Sequence, residues 1–173
     1  MPELNDQMVR RAQRGDKDAF VALMEEHKIA LYRAARAILH NDEDAADAMQ
    51  ETVLEAWSGL AKLEAPRYCK TWLTRVLIYN CCDILRRKKR ETPVEFLPEQ
   101  AAEERGEEAM DVKRTLQGLS QNDRLVLTLF YLNDMPVKQI ARTLDVSESA
   151  VRTRLVRSRA RFREAYLRKE NAV

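Results

Sequence analysis

The stretch from residue 136 to residue 163 constrains this chain more than any other. Pro136 suits the first position of a helix, where its missing N–H would have gone unpaired anyway. Val137, Ile140, Ala141 and Leu144 then recur at helical spacing. Asp145 falls where that helix must stop, in a left-handed conformation that Asp tolerates better than most residues, and Ser147 is a natural N-cap for a second helix. The second helix turns Val151, Leu155, Ser158 and Phe162 inward and carries Arg152, Arg154, Arg157, Arg159, Arg161 and Arg163 elsewhere. Alone, that pattern reads as an ordinary solvated amphipathic helix. With a short helix and a tight turn ahead of it, small Ala141 at the point of approach, and Ile140, Leu144, Val146 and Val151 packing across the turn, it reads as a helix-turn-helix. The second helix of that motif lies in the DNA major groove.

The 173 residues suffice for one ordinary domain or two small ones, and two small ones fit better. Only 4 Gly and 5 Pro, abundant Ala, Leu, Arg and Glu, and no alternating apolar run predict an all-α protein. The net charge of +2 hides a segregation. Arg86, Arg87, Lys88, Lys89 and Arg90 form a basic block, an acidic stretch follows, and the Arg-bearing helix comes last, so two separate contacts with nucleic acid are expected. No end reads as a signal peptide or lipidation motif and no apolar run reaches bilayer length, so the expectation is a cytoplasmic protein without membrane insertion. Cys69, Cys81 and Cys82 contain no C-x-x-C pair and read as packing residues, and His27 and His40 share no face; no metal and no cofactor is expected.

In chain order, a helix over about 4–14 ends at Gly15, and Asp16 caps a core helix over 17–39 with Phe20, Leu23, His27, Leu31, Ala34 and Ile38 on one side. Asn41 and Asp42 cap a third helix over about 43–57 with two unlike faces. Ala45, Ala48, Met49, Thr52 and Ala56 make a packing face, while Asp47, Gln50, Glu51 and Leu54 line the opposite side at i, i+3, i+4 and i+7. A polar face of this kind is ordinarily just solvated. A loop is expected over 58–66, and then a long helix carrying Tyr68, Trp72, Leu73, Val76, Ile78, Tyr79, Ile84 and Leu85 that runs into the basic block. The block reads either as a solubilising tail or as a phosphate contact, with Trp72 and Tyr79 available to stack on unpaired bases. From 91 to 111 acidic residues dominate around Pro93 and Pro98, which predicts a flexible acidic linker. The expected division is therefore 1–90, linker 91–111, and 112–173, with a helix over 107–117 leading from the linker into the last part and another over 123–132 ahead of the helix-turn-helix.

Two stretches together carry a family resemblance. Asp44, Ala45, Ala46, Asp47, Ala48, Met49, Gln50, Glu51 and Thr52 resemble the D-A-E-D-x-x-Q-E-T signature of region 2 in bacterial sigma factors of the sigma-70 family, extracytoplasmic-function (ECF) group. Trp72, Leu73, Asp83 and residues 86–90 are similar to the W-L…D-x-x-R-R stretch that follows it, and the part from Leu119 through Ile140, Ala141 and 151–155 resembles region 4. The chain departs from the pattern at Ala46 for Glu, Val53 for Phe, Tyr79 for Asn with Asn80 one residue later, and Asp145 for Gly.

The resemblance implies an all-α fold of a region 2-like bundle and a region 4-like domain, and a sigma factor that directs promoter recognition. It implies that Asp47, Gln50, Glu51 and Leu54 bind core RNA polymerase at the clamp helices of its largest subunit, with a further contact to the flap. Trp72, Tyr79, Asn80, Asp83, Arg86, Arg87 and Lys88 would then lie at the melted -10 element, beside a loop over 58–66 that takes an extruded base. Ser149, Arg152, Thr153, Val156 and Arg157 would read the -35 element. Partners implied are core RNA polymerase, promoter DNA and an anti-sigma factor, with no small-molecule substrate.

Energetics point the same way. Opening base pairs costs about 1.4 kcal/mol per stacked step. Stacking returns about 1–3 kcal/mol per captured base, and much of the cationic attraction serves duplex DNA equally well. The basic helix can trap an opened strand but needs a larger machine to open it. An extended linker of about 20 residues reaches roughly 65 Å, against roughly 58 Å for the spacing of about 17 base pairs between promoter elements that the resemblance implies. The alternative is a stand-alone helix-turn-helix regulator with an N-terminal dimerisation or ligand-binding domain, which would bind a palindromic duplex unaided. No Gly-rich phosphate loop, metal motif or activated nucleophile favours an enzyme.

Overall fold

The computed structural model describes residues 2–91 and 107–171; most of the acidic linker expected at 91–111 lies outside them. The described residues contain helices and no strand, and they divide into two units, Met1–Lys88 and Lys89–Val173.

The first unit is built from α1 (Pro2–Gln13), α2 (Lys17–Ile38), α3 (Asp42–Gly59) and α4 (Cys69–Glu91). Gly15 takes a φ of 89°, which lets the chain turn sharply between α1 and α2. Asp16 caps α2 by accepting from the Ala19 N–H at 3.1 Å. Its carboxyl is held below the usual range by that bond first and by the Arg11 hydrogen bond second, which suits a helix N-terminus. Phe20, Leu23, His27, Leu31, Ala34 and Ile38 are all buried, as their spacing requires. Asn41 caps α3, accepting from the Asp44 N–H at 2.7 Å. Ala45, Ala48, Thr52 and Ala56 have no exposed surface, so small side chains set how closely α3 packs. In α4 the core positions are Leu73, Leu77 and Cys81, with Thr74 and Asn80 buried beside them.

The expected loop at 58–66 is tighter than its composition suggests. Ser58 and Gly59 finish α3, a 3-10 turn follows at Leu60–Lys62, and a second at Pro66–Tyr68 leads into α4. Leu60 is buried, and burying a Leu side chain is worth about 1.5–3 kcal/mol, enough to fold the segment back on the bundle.

The second unit contains α5 (Glu107–Gln117), α6 (Gln121–Leu127), a π-turn at Thr128–Leu132, α7 (Val137–Leu144) and α8 (Glu148–Glu170). Ser120 caps α6 and starts it earlier than 123. Pro136 stands at the N-cap of α7 rather than inside it. Asp145 adopts the left-handed conformation (φ 55°, ψ 48°) that ends α7, and Ser147 caps α8 through the Ala150 N–H at 3.0 Å. Ile140, Ala141, Val151, Leu155 and Ser158 form the buried seam of the helix-turn-helix. Val146, expected in that seam, is instead 44% exposed, because the turn swings its side chain outward.

Candidate functional site

Three exposed stripes stand out, two in the first unit and one in the second. On α3 the stripe is Asp47, Gln50, Glu51 and Leu54, opposite the alanine face, and Leu54 keeps 65% of its surface open. Beside it runs a shallow groove between α2 and α3, with Met24, Met49 and Val53 as apolar lining and Glu25 and Lys28 at its edge. Val21 and Ile29 on α2 are exposed at 59% and 65%. Flexible Met side chains next to open aliphatics suit contact with another protein.

The second stripe runs along α4. Trp72, Tyr79, Asp83, Arg86 and Arg90 recur near multiples of a full turn and so share one side. Tyr79 is 59% exposed. Trp72 is half-buried and packs against Gly59, where an added Cβ would come within 3.1 Å of its ring. Asp83 pairs with Arg87 at 3.0 Å, and Lys88 is drawn across to Asp44 at the start of α3. Burial of Asp44 pushes its carboxyl up, but hydrogen bonds from Lys88 and Asn41 outweigh that and hold it below its usual value.

Asn80 is not on the exposed stripe. It is buried, and its side-chain amide donates to Thr52 Oγ1 at 3.2 Å and Glu55 Oε2 at 3.4 Å. Thr52 Oγ1 in turn donates to the Ala48 carbonyl at 2.7 Å. The expectation that Asn80 meets DNA therefore needs correcting for this conformation: one residue beyond Tyr79 lies about 100° around the helix, which turns Asn80 into the α3–α4 seam.

The third stripe is Ser149, Arg152, Thr153, Val156 and Arg157 on α8, every member exposed and opposite the Val151, Leu155, Ser158 seam. The arginines of α8 divide into two kinds. Arg159 lies over the Phe130 and Tyr131 rings, each at 5.5 Å from the centroid, and Arg161 binds Asp123 at 2.8 Å. Arg152 is paired with Glu148 at 3.1 Å, whereas Arg157 has no carboxylate partner among the described residues. Asp123, its side chain only 4% exposed, also accepts from Ser158 at 2.6 Å and Ser120 at 2.8 Å. Burial raises the Asp123 carboxyl, and the bonds from Ser158, Arg161 and Ser120 more than reverse it. This cluster fixes the rotation of α8 on α6 and so decides which residues the exposed stripe presents.

Among the described residues no arrangement resembles a reaction centre. Burial pushes the Cys69 and Cys81 thiols up to about 12, far from the reactive range. Among the described residues no group of His, Cys, Asp or Glu is placed to hold a metal ion, and no helix is long and apolar enough to cross a membrane. Residues that sequence periodicity did not single out, Gln13, Glu55 and Asp123, act through partners dozens of positions away.

Comparison with known proteins identifies the family. Residues 23–91 match the model of sigma-70 region 2, and residues 109–162 match that of sigma-70 region 4. The chain is 33% identical to the ECF RNA polymerase sigma factor SigM of Mycobacterium tuberculosis, over 86% of this chain and 77% of that one. It is 26% identical to the RNA polymerase sigma factor SigV of Bacillus subtilis, over 82% and 87%. Among solved structures, CnrH in complex with the cytosolic domain of CnrY superposes with a TM-score of 0.72 at 27% identity, covering 92% of this chain and 95% of that one. The chain belongs to the ECF group of the sigma-70 family, and it is a sigma factor. The stand-alone regulator is not favoured. Sigma factors as a class are generally not enzymes.

Proposed function

We propose that this sigma factor docks on core RNA polymerase through Asp47, Gln50, Glu51 and Leu54 of α3, engages the opened -10 strand with the Trp72, Tyr79 and Arg86 side of α4, and reads the -35 duplex with Ser149, Arg152, Thr153, Val156 and Arg157 of α8. The polymerase opens the duplex and catalyses synthesis; this chain makes and breaks no covalent bond, uses no cofactor and acts in the cytoplasm. The observation that carries the reading is the exposed α8 stripe, whose five side chains lie opposite a buried seam and include an unpaired guanidinium at Arg157 among the described residues. Arg forks match the acceptor pair of guanine in the major groove, and Thr and Val methyl groups match the thymine methyl. Arg87 and Lys88 add positive charge next to the stripe on α4, though each is tethered to a carboxylate, so Tyr79 and Arg86 are the freer contacts. Asn80 supports the -10 surface from within the α3–α4 seam. An anti-sigma protein is the expected restraint, since CnrH is found with the cytosolic domain of CnrY and RpoE of Bartonella quintana with the anti-sigma factor NepR.

The test is a pair of titrations with the full chain. Labelled protein should bind core polymerase tightly and should bind promoter duplex alone only weakly. Tight, palindrome-dependent duplex binding without polymerase would contradict the reading.

A further inference from the structure

The segment between α3 and α4 is held from two sides. Gln13, the last residue of α1, donates from Nε2 to the carbonyl oxygens of Leu60 at 3.1 Å and Leu63 at 2.8 Å. The amide nitrogen has two protons, so one side chain serves both carbonyls. On the other side Gly59 lies against the Trp72 ring, 3.1 Å from where a Cβ would stand. These partners are 47 and 50 residues from Gln13 in sequence, so the bonds are not the by-product of a local turn.

Around this braced segment stand cations. Arg10 lies one turn before Gln13, Arg14 follows it directly, and Lys62 closes the first 3-10 turn; all three are exposed. Among the described residues none of the three pairs with a carboxylate, in contrast to Arg11, bound to Asp16 at 2.6 Å. Arg67 is exposed over the Tyr68 ring at 4.9 Å, and Glu64 is the one acid in the segment. The family resemblance already gives the 58–66 loop an extruded base; the unpaired cations at the end of α1 and at Lys62 set positive charge for a strand backbone beside that loop.

We propose that the end of α1 belongs to the opened-strand site: Gln13 is a positioning residue that sets the 60–63 segment, and Arg14 and Lys62 contact strand phosphates. This rests on the reading of α4 as the opened-strand helix.

The test uses the full chain bound to core polymerase, with end-labelled single-stranded DNA of randomised sequence as probe and affinity followed against salt. Each lost phosphate contact lowers the slope of log K against log salt by about 0.7, so Arg14→Gln with Lys62→Gln should lower it by about 1.4. An unchanged slope would overturn the phosphate role. Gln13→Met keeps the length and removes both donors, and should weaken strand binding about tenfold with the salt slope and the affinity for core unchanged. Strand affinity within about twofold of the parent, or an equal fall in core affinity, would overturn the positioning role. If the unaltered assembly holds no strand at all, the α4 reading itself fails and takes this inference with it; a strand held equally well by all variants removes the inference alone.

Discussion

At the scale of single residues, two buried titratable groups give opposite kinds of clue. His27 is buried with no hydrogen bond to Nε2, and desolvation lowers its pKa from 6.5, with Glu26 opposing and Lys70 reinforcing. The folded state binds fewer protons here than the unfolded chain, so stability is fully present above pH 6.5 and is lost as pH falls below it. The first unit should therefore melt at a lower temperature at mildly acid pH than at neutral pH, and His27→Leu should flatten that dependence; a parallel profile for the variant would contradict the assignment. Asp123 behaves differently. Its folded pKa is also depressed, but from 3.8, so its contribution holds across neutral and mildly acid pH and disappears only as pH falls through the folded value. Asp123→Ala strands the buried Ser158 hydroxyl and should cost about 1–3 kcal/mol in denaturant unfolding. On the exposed stripe, Arg157→Ala should cost about 1–3 kcal/mol at one promoter position if its guanidinium forks onto a base, and a uniform loss over all sequences would mark a phosphate contact instead.

At the scale of elements, helical periodicity made the faces legible in advance. The alanine seam of α3, the polar stripe across from it, and the Val151, Leu155, Ser158 seam of α8 all follow from a period near 3.6, because burial depends on angle around the helix. Long-range polar pairing was not legible. Asn80 reads as exposed or buried with equal ease until Thr52 and Glu55 are placed beside it, and Lys88 looks free until Asp44 is known to face it. Gln13 carries no sequence signal, since an amide side chain near a helix end is commonplace and its acceptors are backbone carbonyls that no residue type encodes. The three proposed stripes were thus readable as exposed faces, and the scaffolding that orients them was not. The turn of the helix-turn-helix allows a direct check. Asp145 is left-handed, a state that costs most L-residues about 1–2 kcal/mol and β-branched residues at least as much. Asp145→Val should destabilise the second unit by about that amount in chemical denaturation while Asp145→Gly does not.

At the scale of the whole molecule, the described residues carry three exposed stripes, proposed as three contact surfaces, and no group placed to hold a metal ion. On the proposed reading, the α3 stripe is the one whose loss would isolate the chain from core polymerase. Replacing both Asp47 and Glu51 with Ala should abolish core binding while circular dichroism and melting stay those of the parent, because both side chains are exposed and lie opposite the buried face. Unchanged affinity for core would remove their role. The proposed division of labour follows from energetics: capture of an opened strand by Trp72 and Tyr79 would return too little to open several base pairs at about 1.4 kcal/mol per step, so initiation on this reading needs polymerase and promoter together. The most direct measurement is run-off transcription by purified core polymerase over a library of candidate promoters, with and without the full chain. Added protein should switch on transcripts from a subset sharing common upstream elements, and Arg157→Ala should change which members respond; a library transcribed identically with and without the protein would contradict the account.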